Sequence, residues 1–81
     1  MNLYVSNLDF SIQDDTLKKM FATYGAVTSA KVILDRETGR SRGFGFVEMP
    51  DKNEAVKAIS GLNGSMNEGK QIRVSEARPK N

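Results

Sequence analysis

The hydrophobic pattern changes its period several times along this chain, and the order of these changes limits the folds open to it. Apolar residues at alternate positions predict strands over residues 3–6, 27–34 and 44–49. Ile72 and Val74 predict a fourth strand near the end. With 81 residues the chain is long enough for one domain, so these strands are expected to share one sheet.

Two stretches between the strands have the helical period instead. Asp14 and Asp15 suit the N-terminus of a first helix, and Gly25 suits position C′ just after its end. Asp51 can cap a second helix, which residues 63–64 should stop. The apolar stripes of the two helices are Leu17, Met20, Phe21 and Tyr24, and Ala55, Ala58, Ile59 and Leu62.

The resulting order is βαββαβ, which predicts an α+β fold of the ferredoxin-like type. Right-handed crossovers would place both helices on one face of a four-stranded antiparallel sheet and leave the other face open. We expect the domain to span residues 1–78, followed by a short tail over residues 79–81.

The amino-acid composition limits the kinds of chemistry that this chain can perform. The chain has no cysteine and no histidine, which excludes disulfides, thiolate chemistry and the commonest general base. We therefore expect no catalytic residue, metal or cofactor. The net charge of +2 allows nucleic-acid binding without demanding it. Without a membrane-length apolar run or a signal-peptide pattern at residues 1–4, we expect no membrane contact and a location in the cytoplasm, or in the nucleus if the source has one. Because no large apolar patch is apparent apart from the aromatic residues described next, we also expect a monomer.

The third strand carries aromatic residues on the side where solvent is expected. Side chains alternate across a strand, so Leu3 and Val5 should face the helices and leave Tyr4 on the open face. The same parity places a mixed set on the open face of the third strand: Arg42, Phe44, Phe46 and Glu48. Such rings can stack with bases, and Gly43 and Gly45 are expected to leave them accessible from the side. The alternative is a strand buried on both sides.

Parity also assigns the outer strands. In the second strand it predicts an open-face set of Ser29, Lys31 and Ile33 and an inward set of Ala30, Val32 and Leu34. In the last strand the predicted outward set is Gln71, Arg73 and Ser75.

The segments that carry these aromatics match known motifs. Residues 42–49, RGFGFVEM, resemble the octamer motif of the RNA recognition motif family. Residues 3–8, LYVSNL, resemble its hexamer motif, and the 33 residues between them match the family's spacing. Met49 replaces the usual final Phe or Tyr, but parity turns it inward. An octamer that ends in Met is similar to those of the small bacterial RNA-binding proteins with one such domain.

The resemblance implies single-stranded RNA binding on the open face. According to this resemblance, Tyr4 and Phe44 stack on two successive bases, and Phe46 packs against the sugars between them. Arg42 is expected to contact a phosphate. Such a platform holds about two to four nucleotides. Single-stranded DNA could bind too, because stacking does not involve the 2′-OH. The further RNA contacts expected are Lys31, Arg73, Ser75, Glu76, Ala77 and Arg78.

Several neighbouring positions admit two interpretations. Asn7 could contact a base, although a turn-stabilising role is favoured. Arg36 and Arg40 could attract RNA, or they are solvated loop charges paired with nearby acids. Glu48 could accept from a base amino group or repel phosphates. Phe10 is expected to seal an edge of the core.

Two rival functions are compatible with the predicted fold. An acylphosphatase-like enzyme would need a phosphate-cradling loop after the first strand, but residues 6–10 contain no glycine and carry Asp9. A protein-interaction module of the same fold would not need the open-face aromatics, which therefore argue against it.

Overall fold

A computed structural model describes residues 1–77. Its elements in chain order are β1 (Asn2–Ser6), α1 (Asp14–Ala22), β2 (Ser29–Leu34), β3 (Ser41–Glu48), α2 (Lys52–Leu62), β4 (Met66–Asn67), β5 (Lys70–Gln71) and β6 (Arg73–Glu76). The four longer strands form an antiparallel sheet in the order β2-β3-β1-β6, which confirms the predicted βαββαβ order. The predicted domain boundary at residue 78 lies outside the described residues.

The core lies between the two helices and one face of the sheet. Leu17 and Phe21 of α1 and Ala55 and Ala58 of α2 are fully buried, as the helical stripes predicted. The sheet side of the core is formed by Leu3, Val5, Val32, Val47, Ile72 and Val74. No helix within residues 1–77 is long and apolar enough to span a membrane.

Gly25 is not the C′ residue that the sequence suggested. Helix α1 ends at Ala22 with Thr23 as its C-cap, and Gly25 is extended, with φ of 159°. The Glu54 side chain lies against it, and a Cβ built on Gly25 would be only 2.7 Å from the Glu54 Cβ. Glu54 Oε1 accepts a hydrogen bond from the Ala26 N–H at 3.1 Å. Glycine is therefore needed here for the close approach of α2.

Leu34 is exposed, contrary to the parity prediction. Val32 lies opposite Gly45, but Leu34 lies opposite Ser41, so the register shifts between them. Such an irregularity breaks the alternation of side chains, and Leu34 is left 56% exposed.

A short hairpin that the sequence interpretation missed lies between α2 and β6. Met66 of β4 pairs with Gln71 of β5, and Asn67 pairs with Lys70. The turn residues Glu68 and Gly69 both have positive φ, of 51° and 79°. This is the backbone of a tight two-residue hairpin turn. The sequence signal was the glycine at residue 69, and the consequence is that Lys70 is brought beside the sheet.

The N-cap of α2 gives a first testable prediction. The Asp51 carboxylate accepts a hydrogen bond from the Glu54 N–H at 3.0 Å. Asp51→Ala should therefore lower the free energy of unfolding by about 0.5–2 kcal/mol, measured by urea denaturation. Asp15→Ala is the control, because it removes a first-turn carboxylate that is not at an N-cap. Equal losses in the two variants would contradict a capping role.

Candidate nucleic-acid interface

Three aromatic rings lie together on the open face of the sheet, and we call Tyr4, Phe44 and Phe46 the aromatic platform. Tyr4 of β1 lies directly opposite Phe46 of β3, in the two central strands. The Tyr4 ring centroid lies 5.5 Å from that of Phe46 and 5.8 Å from that of Phe44. The ring planes are tilted by 52° and 45°, so the rings form one continuous patch without stacking face to face.

The exposures exclude a strand buried on both sides. Phe46 is 41% exposed, whereas its neighbour Val47 is 1% exposed. Tyr4 is half-buried between the fully buried Leu3 and Val5. The predicted location of the rings on the solvent side of the sheet is thereby confirmed.

The glycines of β3 have a different role from the one expected. Both glycines are buried, but only Gly45 faces the helices, so Gly45 does not open the sides of the rings. A Cβ at Gly45 would lie 2.5 Å from the Lys31 carbonyl oxygen and 3.1 Å from Leu17 Cδ2. Gly45 therefore allows the close packing of β2 and α1 beneath the platform.

One row of side chains crosses the whole sheet. The register aligns Lys31 of β2, Phe46 of β3, Tyr4 of β1 and Ser75 of β6. Because paired residues share a face, Lys31 and Ser75 flank the aromatic platform at its two ends. The structure thus confirms the open-face positions of Lys31 and Ser75, whereas Gln71 pairs with Met66 in the β4–β5 hairpin and lies outside the four-stranded sheet.

Two arginines lie near Phe44, the platform residue outside the row just described. The guanidinium carbon of Arg42 lies 5.9 Å from the Phe44 ring centroid, within the range of a cation–π contact. Arg73 is exposed and lies opposite Ser6, which in turn lies opposite Phe44. Positive charge is thus placed at the margin of the aromatic platform.

The loop between β2 and β3 is a hydrogen-bonded turn around Asp35. Its carboxylate accepts from the N–H groups of Glu37 and Thr38 at 2.8 and 3.2 Å. These bonds lower the pKa of Asp35, and the charge of Arg42 lowers it further. The charge of Asp35 therefore offsets part of the field of Arg42, and Arg36 and Arg40 are exposed in the same loop.

Three RNA contacts were predicted at the end of β6, and they have different positions: Glu76, Ala77 and Arg78. Glu76 pairs with the buried Leu3, so its side chain lies on the helix side and only its backbone remains available to the open face. The Ala77 N–H donates to the Asn2 carbonyl at 2.8 Å. Ala77 also borders a depression of about 310 Å³ beside Phe46. Arg78 lies outside the described residues.

Two polar residues whose roles were open have partners within the protein. Asn7 has a left-handed backbone, with φ of 58°, and its amide donates to the Gln71 carbonyl at 2.7 Å. The side chain therefore ties the end of β1 to β5 and not to its own turn, and a contact with a base stays a prediction. The Glu48 carboxylate accepts from the Thr28 hydroxyl at 2.9 Å, which holds it at the C-terminal end of β3.

Phe10 does not seal the core as expected, because it is 65% exposed. The ammonium of Lys70 lies 4.5 Å from the centroid of its ring. Neither residue was assigned a functional role from the sequence. No local pattern could have joined them, because the contact depends on the hairpin that places Lys70 near the loop after β1.

Comparison with known proteins agrees with the fold and the motifs. The family model described as "RNA recognition motif" matches residues 3–73. The "Putative RNA-binding protein RbpE" of Nostoc sp. is 46% identical over 80 residues, which are 99% of this chain and 81% of that protein. The "29 kDa ribonucleoprotein, chloroplastic" of Arabidopsis thaliana is 51% identical over 75 residues, 93% of this chain but 22% of that protein.

Solved structures give the same result. A crystal structure of "RNA Binding Protein PG1" superposes with a TM-score of 0.93 at 52% identity, and the match covers 99% of each chain. The "Sxl-lethal protein/RNA complex" superposes with a TM-score of 0.89 at 41% identity, over 94% of this chain and 47% of the other. These matches confirm the ferredoxin-like fold.

Proposed function

The chain belongs to the RNA recognition motif family, and we propose that it binds single-stranded RNA on the aromatic platform. The observation that carries this proposal is the continuous patch of Tyr4, Phe44 and Phe46 on the open face. Clustered exposed aromatic side chains are unusual unless they bind something. Stacking of a base on such a ring contributes about 1–3 kcal/mol, so two or three rings suffice for useful affinity.

The exposures favour a particular division of roles among the rings. The sequence resemblance implies stacking on Tyr4 and Phe44, with Phe46 against the sugars. Phe46, however, is the most exposed of the three and lies directly opposite Tyr4, while Phe44 has the Arg42 guanidinium near its ring. We therefore propose that Tyr4 and Phe46 hold successive bases and that Phe44 packs against the sugars.

The polar residues around the platform suit the rest of a nucleotide. Arg42, Lys31 and Arg73 are exposed at its margins and could neutralise phosphates. Ser75 and the backbone near Ala77 lie at the β6 end, where hydrogen bonds to base edges would confer sequence preference. A contact from Arg78 is part of the same proposal and rests on the sequence alone.

A chemical-shift titration with randomised six-nucleotide single-stranded RNA tests the proposal. We expect perturbed resonances for Tyr4, Phe46 and Lys31, and little change for Val56 and Lys57 on α2. The same RNA as a duplex should bind much more weakly, because its stacked bases cannot reach the rings. Perturbations confined to the helix side would contradict the proposal. A matched DNA measures the contribution of the 2′-OH.

Replacement of Arg42 tests the phosphate contact. Arg42→Ala should weaken binding to different RNA sequences by similar factors and reduce the slope of log affinity against log salt by about 0.7, the value for one phosphate on a single strand. Anisotropy titrations at several salt concentrations measure this slope. Lys57→Ala, on the exposed side of α2, is the matched control. An unchanged slope in Arg42→Ala would contradict the contact.

We infer binding without catalysis from the loop between β1 and α1. The Leu8 N–H donates to the Gly43 carbonyl, and the Ser11 and Ile12 N–H groups donate to Asp9. These groups are therefore not free to cradle a phosphate. An assay of acyl-phosphate hydrolysis tests the inference, and turnover above the buffer rate would contradict it.

Three further expectations remain proposals: a cytoplasmic location, a monomeric state and a domain boundary at residue 78. Cell fractionation, sedimentation and limited proteolysis test them in that order.

A further inference from the structure

The loop between β1 and α1 holds Phe10 out of the core. Its neighbours on both sides are anchored, because Leu8 and Ile12 are only 1% and 3% exposed. The Leu8 N–H also donates to the Gly43 carbonyl at 2.8 Å, which ties the loop to β3. The Phe10 ring cannot turn inward without displacing these anchors, so its 65% exposure is built into the loop.

A tight turn stabilises the same loop. The Asp9 carboxylate accepts from the Ser11 hydroxyl and from the Ser11 N–H, the latter at 3.0 Å. These bonds lower the pKa of Asp9, and the charge of Lys70 adds a smaller effect. Asp9 is thus engaged within its own turn, although its charge still interacts with that of Lys70.

Lys70 reaches this loop from the β4–β5 hairpin. Its ammonium lies 4.5 Å from the Phe10 ring centroid, which combines an exposed ring with a positive charge. Arg42 and Phe44 border the same depression, of about 340 Å³. An exposed ring beside cationic side chains is the combination that binds single-stranded nucleic acid without sequence preference.

This depression is continuous with the aromatic platform. Tyr4 and Phe44 line it together with Phe10 and Lys70. The Phe10 ring also lies against β3, because a Cβ on Gly43 would be 3.6 Å from Phe10 Cε1. A strand leaving the platform past Phe44 would therefore reach Phe10 without a gap.

We propose that Phe10, Lys70 and Arg42 form a ledge for one further nucleotide of the same RNA strand. Its base stacks on Phe10, and its phosphate lies between Lys70 and Arg42. This inference rests on the proposed function, because the ledge extends a strand already bound on the platform. It predicts that affinity continues to increase by one nucleotide beyond the length that the platform alone can hold.

A length series tests the ledge. Dissociation constants for randomised single-stranded RNAs of two to six nucleotides are measured by NMR titration for the unmodified chain and for Phe10→Ala. We expect the longer RNAs to bind Phe10→Ala about 5- to 150-fold more weakly, the loss of one stacked base, while the dinucleotides bind both proteins equally. Equal affinities at every length would overturn the ledge. Equal losses at every length would also overturn it, because Phe10 would then act on the platform.

Matched variants separate stacking from bulk and from folding. Phe10→Tyr keeps a ring and should retain the affinity for longer RNAs, whereas Phe10→Leu keeps apolar bulk and should lose it. Val56→Ala, which shortens an exposed apolar side chain on α2, should change neither affinity nor melting temperature. Retained affinity in Phe10→Leu would contradict stacking.

Lys70→Gln tests the phosphate contact of the ledge. It should reduce the salt slope by about 0.7, and only for RNAs long enough to reach Phe10. A reduced slope with dinucleotides would contradict the assignment. Failure of the unmodified chain to bind RNA of any length would instead refute the proposed function, so the two failures are distinguishable.

Discussion

Phe46→Ala should weaken the binding of single-stranded RNA about 5- to 150-fold, the equivalent of one lost stack of about 1–3 kcal/mol. The side chain is 41% exposed on the open face, so the core beneath it stays filled. Its contacts with Tyr4 across the strands should contribute only about 0.2–1 kcal/mol to folding. Anisotropy with a short randomised RNA measures the affinity, and thermal unfolding should show a shift of only a few degrees.

The next residue of β3 provides the reciprocal control. Val47 is 1% exposed and faces the helices, so Val47→Ala should lower the free energy of unfolding, by about 0.5–3 kcal/mol. Below its melting temperature it should bind RNA normally. A Phe46→Ala protein that unfolds as readily as Val47→Ala would contradict the solvent location of the ring. Loss of affinity in both variants would contradict a role confined to the open face.

Phe44→Ala distinguishes the two assignments of the rings. If Phe44 packs against sugars, its removal should cost less affinity than the removal of Phe46. A larger loss in Phe44→Ala would support the assignment that the sequence resemblance implies, with Phe44 as the second stacking ring. Anisotropy titrations of both variants with the same RNA make the comparison.

Alternation within the central strands was the most predictable part of the molecule. In β1 and β3 the pleat forces neighbouring side chains to opposite faces, and the buried Leu3, Val5 and Val47 left no freedom for Tyr4 or Phe46. The positions of the rings follow from this local geometry. The same reasoning located Lys31 and Ser75 correctly, because their strands pair in register with the centre of the sheet.

Where the sequence interpretation failed, contacts distant along the chain were responsible. Leu34 is exposed because β3 gains residues relative to β2, which no property of Leu34 indicates. Gly25 was assigned to a helix end, whereas the structure uses it to admit Glu54 from the other helix. Phe10 and Lys70 meet only because a short hairpin follows α2. Local patterns predict which side chains share a face of a regular strand, but they do not predict these contacts between elements.

Gly45 shows most clearly the difference between what the local sequence pattern predicts and what contacts between distant elements require. If its role were to keep the rings accessible, Gly45→Ala would weaken RNA binding and leave stability unchanged. In the structure a methyl group there would lie 2.5 Å from the Lys31 carbonyl oxygen and 3.1 Å from the Val32 Cα. These are backbone atoms of β2, which cannot move aside as a flexible side chain could. We therefore expect Gly45→Ala to lower the free energy of unfolding by about 1–3 kcal/mol through overpacking.

Thermal and urea unfolding measure this effect, with a decrease in melting temperature of about 4–8 °C for each kcal/mol. Gly39 provides the contrast, because it has open space around it but a left-handed φ of 71°. At residue 39 the cost comes from the backbone, so Asn, which tolerates this conformation, should be less destabilising than Ala. At residue 45 the cost comes from volume, so Ser should be more destabilising than Ala. A stable Gly45→Ala protein with weakened RNA binding would show that the glycine serves the open face after all.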